Sequence, residues 1–586
     1  MTTIKQVVFN HRIQSLFFGV VLGGLATGCS TYQQQNRVIQ FWHQGNMTNA
    51  VVEATKMADK NATGKDTIIW HLEQGAVLRG AGKYEESNKV FDEAQNRIDQ
   101  YSQEAKVKVG NEAGALLSNQ ANLPYVGRSY DGIMLNTYKA LNYLQLGDPD
   151  KARVELIRAY QRQQDAVEDN KKRIAKVQAE AAANTNKVAI DKAQENPKFK
   201  SSMQGAYTNL DNLKPYADYV NPFTVYLDGL FFMANAADAS DLERAHKSLE
   251  RAAGFNPDNN YVRQDLAAVD GLIQGKSLTP TTYVIFETGC APVRDQVRID
   301  IPILLPKVPY VGAAFPTLKP EGNYLPSLTV TSDSILVPAQ DTVATTAITT
   351  TAVTTTTAVS DPPAASGTNA TVAGAAATAG DTNTTVTSTT VTTGDTNTTA
   401  ASTTTTTSNT NSTVTSTTVL AGDTNATVTS TTTTASSTTA TVTAGSTKAT
   451  TSPIANMDSV IGLDFKNEMP VVITKTIAST ITKAVAAAAI NDAANQQGAV
   501  YGLISMIGTG IYQAAVNIAD ERTWTTLPKE FQVCRFSTPP DRKIVLETSD
   551  GIQNIPVTIE DGTINIIYVK SITATSPLLV TQMKLK

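Results

Sequence analysis

The chain has 586 residues with a formal net charge of -5 and 17% charged residues, length enough for two or three domains. A mildly acidic balance, pI near 5.6, leaves no electrostatic footprint for nucleic acid, so no nucleic-acid partner is expected. Composition is uneven: charged residues crowd the first half, whereas Thr, Ala and Val dominate the stretch from Val343 to Thr447.

Lys5, His11 and Arg12 precede an apolar run from Leu16 to Leu25, and Ala26-Thr27-Gly28 lead into Cys29. A charged leader, a short apolar run and small residues before a cleavage point mark an export signal over 1–28, too short to persist as a spanning helix. Cys29 at the cleavage point resembles the lipobox of bacterial lipoproteins, in which the thiol is acylated. Ala26 departs from the usual Leu three residues before it. Such an anchor implies a membrane partner through lipid, and Ser30, rather than the Asp that retains lipoproteins in the inner membrane, implies the outer membrane facing the periplasm.

From Gln35 to Lys276 apolar residues recur at helical spacing, which predicts an all-α, tetratricopeptide-like helical repeat domain over 29–276. Ala245, Leu249, Ala252 and Pro257 give its clearest second-helix pattern, with small residues where two helices touch and Pro ending the helix. Gly45, Gly82 and Gly147 are placed at turns between paired helices. A long charged helical segment over 150–200, with one apolar seam through Tyr160, Val167, Ile174, Ala181 and Val188, predicts a hairpin resting on the repeat body. Phe223, Tyr226, Leu227, Leu230 and Phe231 form a core stripe.

After Thr279-Pro280 the period becomes strand-like. Thr282–Phe286, Gln296–Pro302, Phe531–Arg535, Lys543–Thr548, Ile555–Ile559 and Ile564–Lys570 read as strands of an α+β domain with a mainly antiparallel sheet, covering 277–338 and 453–586. Between them, 339–452 is a Thr-rich insert in which Gly380-Asp381-Thr382-Asn383 recurs at Gly394 and Gly422, a 14-residue repeat. It lacks the large apolar residues that offset ordering entropy, so disorder is expected, and its hydroxyls and Asn-x-Thr triplets could accept glycan. The uncharged stretch around 493–519 reads as helices packed on the sheet, with lipid contact as the competing reading.

Catalytic material is sparse. Only His43, His71 and His246 outlast signal removal, and no metal, phosphate-loop or nucleophile-elbow motif occurs, so neither cofactor nor enzyme activity is expected. Cys290 and Cys534 are left either as a disulfide or as two buried thiols. Asp520, Arg522 and Trp524 form the densest polar cluster of the second domain and read as structural.

The lipobox and repeats, with Leu123-Pro124-Tyr125, Tyr138–Leu144, Phe286-Glu287-Thr288-Gly289, Arg298–Pro302, Tyr310-Val311-Gly312 and Asp520–Trp524, resemble a family of uncharacterised bacterial envelope lipoproteins with tetratricopeptide-like repeats. The lipid anchor and the helical repeats together give the leading reading, a non-enzymatic, membrane-anchored scaffold or adaptor engaging an unidentified envelope protein or peptide through a helical groove. The alternative is a protein that binds or modifies cell-wall polymer through the α+β domain, with Glu287, Asp300, Asp520 and Arg522 converging in a cleft.

Overall fold

A computed structural model describes residues 30–107, 121, 123–184, 186–214, 216–217, 219–305, 308–332, 447–495 and 519–586, together with five segments of the insert. Cys29 and the signal segment lie outside the described residues, as does nearly all of 493–519.

Helices come first, in antiparallel pairs: α1 (Ser30–His43) with α2 (Met47–Lys60), α3 (Thr67–Gly80) with α4 (Tyr84–Val107), and α5 (Ser129–Gln145) with α6 (Pro149–Ala182). The turns inside these pairs contain Gly45, Gly82 and Gly147, all at φ between 68 and 75°. A Cβ is disfavoured in that left-handed region, which is why the sequence places glycine there. After α7 (Lys187–Glu195) and α8 (Pro197–Tyr207), a further pair forms from α9 (Pro222–Ala234) and α10 (Ala239–Phe255), followed by α11 (Asn260–Ile273). Asn221 and Asp238 cap the last pair through their side chains, and Pro222 opens α9 at the position where a missing N–H costs least. A Cβ on Gly229 would lie 2.7 Å from Leu249, so α9 and α10 approach as closely as the small residues of the sequence suggested.

The strands complete one compact unit with these helices, while Asp341–Gly445 forms a second. A five-stranded sheet runs β11 (Ser452–Asn456), β12 (Glu530–Ser537), β1 (Thr281–Thr288), β15 (Ile564–Ser571), β16 (Leu579–Lys584). Only β1 and β15 pair in parallel within it; the other neighbours are antiparallel. A four-stranded sheet runs β10 (Thr447–Thr450), β4 (Leu328–Ser332), β13 (Lys543–Thr548), β14 (Asn554–Thr558). β2 (Val293–Leu305) and β3 (Val308–Lys319) make a separate antiparallel ribbon.

The expected division near residue 276 is not a structural boundary. One continuous core joins Trp70, Phe91, Tyr138, Phe223 and Leu249 from the helices to Tyr283, Phe286, Leu328, Leu546 and Val569 from both sheets. Alternation along β1 explains how. Tyr283, Ile285 and Glu287 share one face with Arg535, Val533 and Phe531 of β12, and Phe531 stacks on Phe223 of α9 with ring centroids 3.8 Å apart. Every residue of α3 from Thr67 to Arg79 is buried, as is all of α9. The inner face of the helical pairs, where the sequence suggested an open groove, is therefore filled by the protein's own sheet.

A second, smaller core forms around α12 (Met457–Asn495), which packs on α6, α7 and β3. Ile190, Phe199, Ile301, Phe315, Phe465 and Ile481 meet there. The long charged segment is thus a 34-residue helix followed by two short ones that rest on α12 and the ribbon.

The structure decides between the two cysteine alternatives and corrects one boundary. Cys290 and Cys534 are both free and buried. Cys534 lies opposite Val284, whereas Cys290 follows the end of β1 at Thr288, itself about 13 Å further along at strand rise and outside disulfide reach. The insert ends earlier than expected, since Thr447–Thr450 already pairs with β4. Within it, β5 (Thr371–Thr378), β7 (Thr399–Thr406) and β9 (Val428–Thr434) pair in parallel, as do β6 (Thr387–Thr393) and β8 (Thr415–Ala421). Paired residues stand two repeats apart, so identical backbone positions align, a contribution that counting apolar residues omits.

Candidate functional site

Buried charge concentrates where helices meet sheet. Glu287 accepts from Tyr138 Oη at 2.9 Å and from Lys570 Nζ at 2.5 Å, and Tyr568 Oη also donates to it. Burial alone would raise its pKa, but Lys570 and Arg79 hold it below the ordinary value. Asp265, on α11, accepts from Tyr226 Oη at 2.8 Å and Tyr283 Oη at 2.6 Å and pairs with Arg535 at 2.9 Å. These two clusters clamp α5, α9 and α11 onto β1, β12 and β15.

The cluster expected at Asp520, Arg522 and Trp524 exists and extends into the helices. Arg522 donates to both Asp520 oxygens, at 2.7 and 2.9 Å, to Asp66 Oδ1 at 3.0 Å and to the Leu123 carbonyl at 2.8 Å. Arg128 donates to Glu468 at 2.7 Å and Arg294 to the same carboxylate at 2.5 Å, and these two arginines hold Glu468 far below the usual range. Beside them, burial pushes Asp464 up to about 6. Trp524 Nε1 donates to Thr526 Oγ1 at 2.9 Å, and its ring meets Phe91 and Tyr138 edge-on. The next residues bind Glu73: Thr525 donates its N–H at 2.6 Å and its hydroxyl at 2.5 Å, and Thr526 its hydroxyl at 2.8 Å. Desolvation still prevails over these contacts and raises Glu73 to about 7.

The four residues of the cell-wall alternative do not converge. Asp520 and Arg522 pair with each other, Glu287 is sealed in its own cluster, and Asp300 is exposed on the β2–β3 ribbon. The idea of a shared catalytic cleft built from them therefore fails. Among the described residues no group of three His, Cys, Asp or Glu side chains could hold a metal ion, and no helix is long and apolar enough to cross a membrane.

Sequence reading missed Glu73, Asp265, Arg128 and Glu468. Glu73 had a local signal, the one acid in a helix whose other residues from Thr67 to Val77 are apolar or uncharged at neutral pH apart from His71. It also missed the contact of Cys290 Sγ with His43 Nε2 at 3.5 Å, in which burial pushes the thiol up to about 12 and lowers the imidazole, so both groups are held neutral and a thiolate–imidazolium pair is disfavoured.

Outward-facing features lie on the second helices of the pairs. On α6, Val154, Ile157 and Tyr160 are 45, 43 and 41% exposed. Beside Tyr160 a cleft opens between α6, α9 and α10, lined by Gln163, Val225, Lys247 and Arg251 over Asp228. Asp228 pairs with Arg244 at 2.7 and 3.1 Å and accepts from Ser248 Oγ at 2.8 Å.

No family model matches the chain, and no curated protein matches it. A tetratricopeptide repeat protein from Parabacteroides merdae ATCC 43184 is similar in structure at 13% identity, covering 42% of this chain and 100% of that one, with a TM-score of 0.12. A superposition that poor leaves the repeat-like helical pairs to stand on their own geometry.

Proposed function

We propose that the protein is a non-enzymatic scaffold of the cell envelope, acylated at Cys29 and held at the outer membrane facing the periplasm. Three acyl chains on one cysteine exceed the two-signal anchoring that stable membrane residence needs. The observation that carries the scaffold reading is the division of the helical pairs: their inner face is consumed by the sheet, while α6 turns Val154, Ile157 and Tyr160 outward. A protein partner therefore meets the second-helix face rather than an inner groove.

The test is crosslinking in intact cells followed by affinity purification. Wild type is expected to retain a partner that the combined Val154→Asp, Ile157→Asp, Tyr160→Ser variant loses, with unchanged melting temperature. Equal recovery of the same partner by both proteins would refute the assigned face. Absence of labelled fatty acid on wild type, with Cys29→Ala as control, would refute the anchor.

A further inference from the structure

The start of α1 has a geometric consequence for how the folded unit meets a bilayer. Val38 and Trp42 are 1% exposed in the main core, so α1 is fixed to the body from Val38 onward. Residues 30–37 are helical and span about 12 Å, leaving little slack between an acylated Cys29 and the folded unit. The antiparallel α1–α2 pair decides which end is held close. Arg37 pairs with Glu53 at 3.9 Å, and both are equally far from Gly45 along the chain. By the same count Ser30 lies level with Lys60 and Gln34 with Lys56. The turn that follows α2 carries Lys65, whose Nζ donates to the Ala121 carbonyl at 2.7 Å.

We infer that this end of the unit, presenting Lys56, Lys60 and Lys65, docks on an anionic phospholipid surface. The inference rests on the proposed acylation of Cys29. All three lysines are exposed, in a chain whose net charge is -5. Among the described residues, their opposing acids here are Glu53, which is shared with Arg37 and Lys56, the exposed Asp59, and Asp66, which is buried against Arg522. Cations outnumber acids, as an anionic headgroup layer requires, and lysines within a Debye length of such a layer each add to adhesion. The opposite end of the α1–α2 pair, where Gly45 abuts Pro577, stands roughly 20 Å further out at helical rise.

The test places a fluorophore on acylated full-length protein in phosphatidylglycerol-containing vesicles, at Ala62→Cys beside the lysines or at Ile552→Cys. Ile552 lies next to Gln553, which bonds the Ser576 carbonyl near Pro577, and the two native thiols are buried. A headgroup-nitroxide lipid is expected to quench the label at 62 at least twofold more than that at 552. Lys56→Glu, Lys60→Glu and Lys65→Glu together are expected to erase the difference. Equal quenching at both positions, or a difference indifferent to charge reversal, would overturn the docking. Mass spectrometry of the same sample separates the two readings: acylated protein with equal quenching sinks the docking alone, whereas protein lacking acyl chains sinks the anchor beneath it.

Discussion

Around the five-stranded sheet, Glu73, Asp265 and Glu287 lie among Trp, Tyr and Phe side chains, each carboxylate met by named donors; around α12, Phe199, Ile301, Phe315, Phe465 and Ile481 meet through apolar contact. α12 itself marks the divide. Its Phe465, Met469 and Val472 turn to the small core, while Asp464 and Glu468 belong to the Arg128 and Arg294 network. Stability in the large core therefore depends on protonation and on keeping both members of a pair. In the small core it depends on volume alone.

The sharpest way to break that contrast is to strand a buried charge. Lys570→Met leaves Glu287 facing only Arg79 and two tyrosines, and is expected to lower unfolding free energy by about 3 kcal/mol. Adding Glu287→Gln is expected to recover at least half of that in denaturant titrations. A single-variant loss below about 1 kcal/mol, or a double variant no better than the single, would show that the pair is not what organises this seam.

Glu73 sharpens the comparison through pH. Its folded pKa of about 7 lies above the ordinary 4.5, so the folded state holds the proton more tightly than the unfolded one. Its favourable share is complete below pH 4.5 and is lost as pH rises through 7, on the order of 3 kcal/mol at 1.36 kcal/mol per unit. Glu73→Gln is expected to flatten that dependence relative to wild type across the same window. Parallel pH curves for the two proteins would sink the assignment. The smallest effect is expected in the apolar core, where Ile301→Val should cost about 1 kcal/mol and show no pH dependence between 4.5 and 7.

What could be read from the chain follows the range of the forces involved. Helix pairing was legible because Gly45, Gly82 and Gly147 punctuate a helical period locally, and α9 because Asn221-Pro222 announces a capped apolar helix. Four C-terminal strands were legible from alternation and turn residues, each within a residue or two of its bounds. The parallel pairing of β1 with β15 was not, since nothing near Thr281 records Ile564. The covering of the inner helical face follows from that same long-range pairing, so the groove expected from repeats alone was lost with it. At the polar cluster, Asp520, Arg522 and Trp524 stood out as neighbours in sequence. Their partners Asp66, Arg128 and Glu468 are scattered through the chain and left no local mark.

The sheet also isolates the fold from its own repetitive tract. Ser332 at the end of β4 stands directly opposite Thr447 at the start of β10, so the tract leaves and re-enters through adjacent rungs of one antiparallel ladder. Closing a tether of twice the length across those rungs costs only about 0.6 kcal/mol more. Copies of the 14-residue unit, the kind of tandem sequence that slips during replication, can be added or lost between these bookends while β4 and β10 keep each other as neighbours. The β4–β10 ladder thus fixes where the tract begins and ends without fixing how long it is.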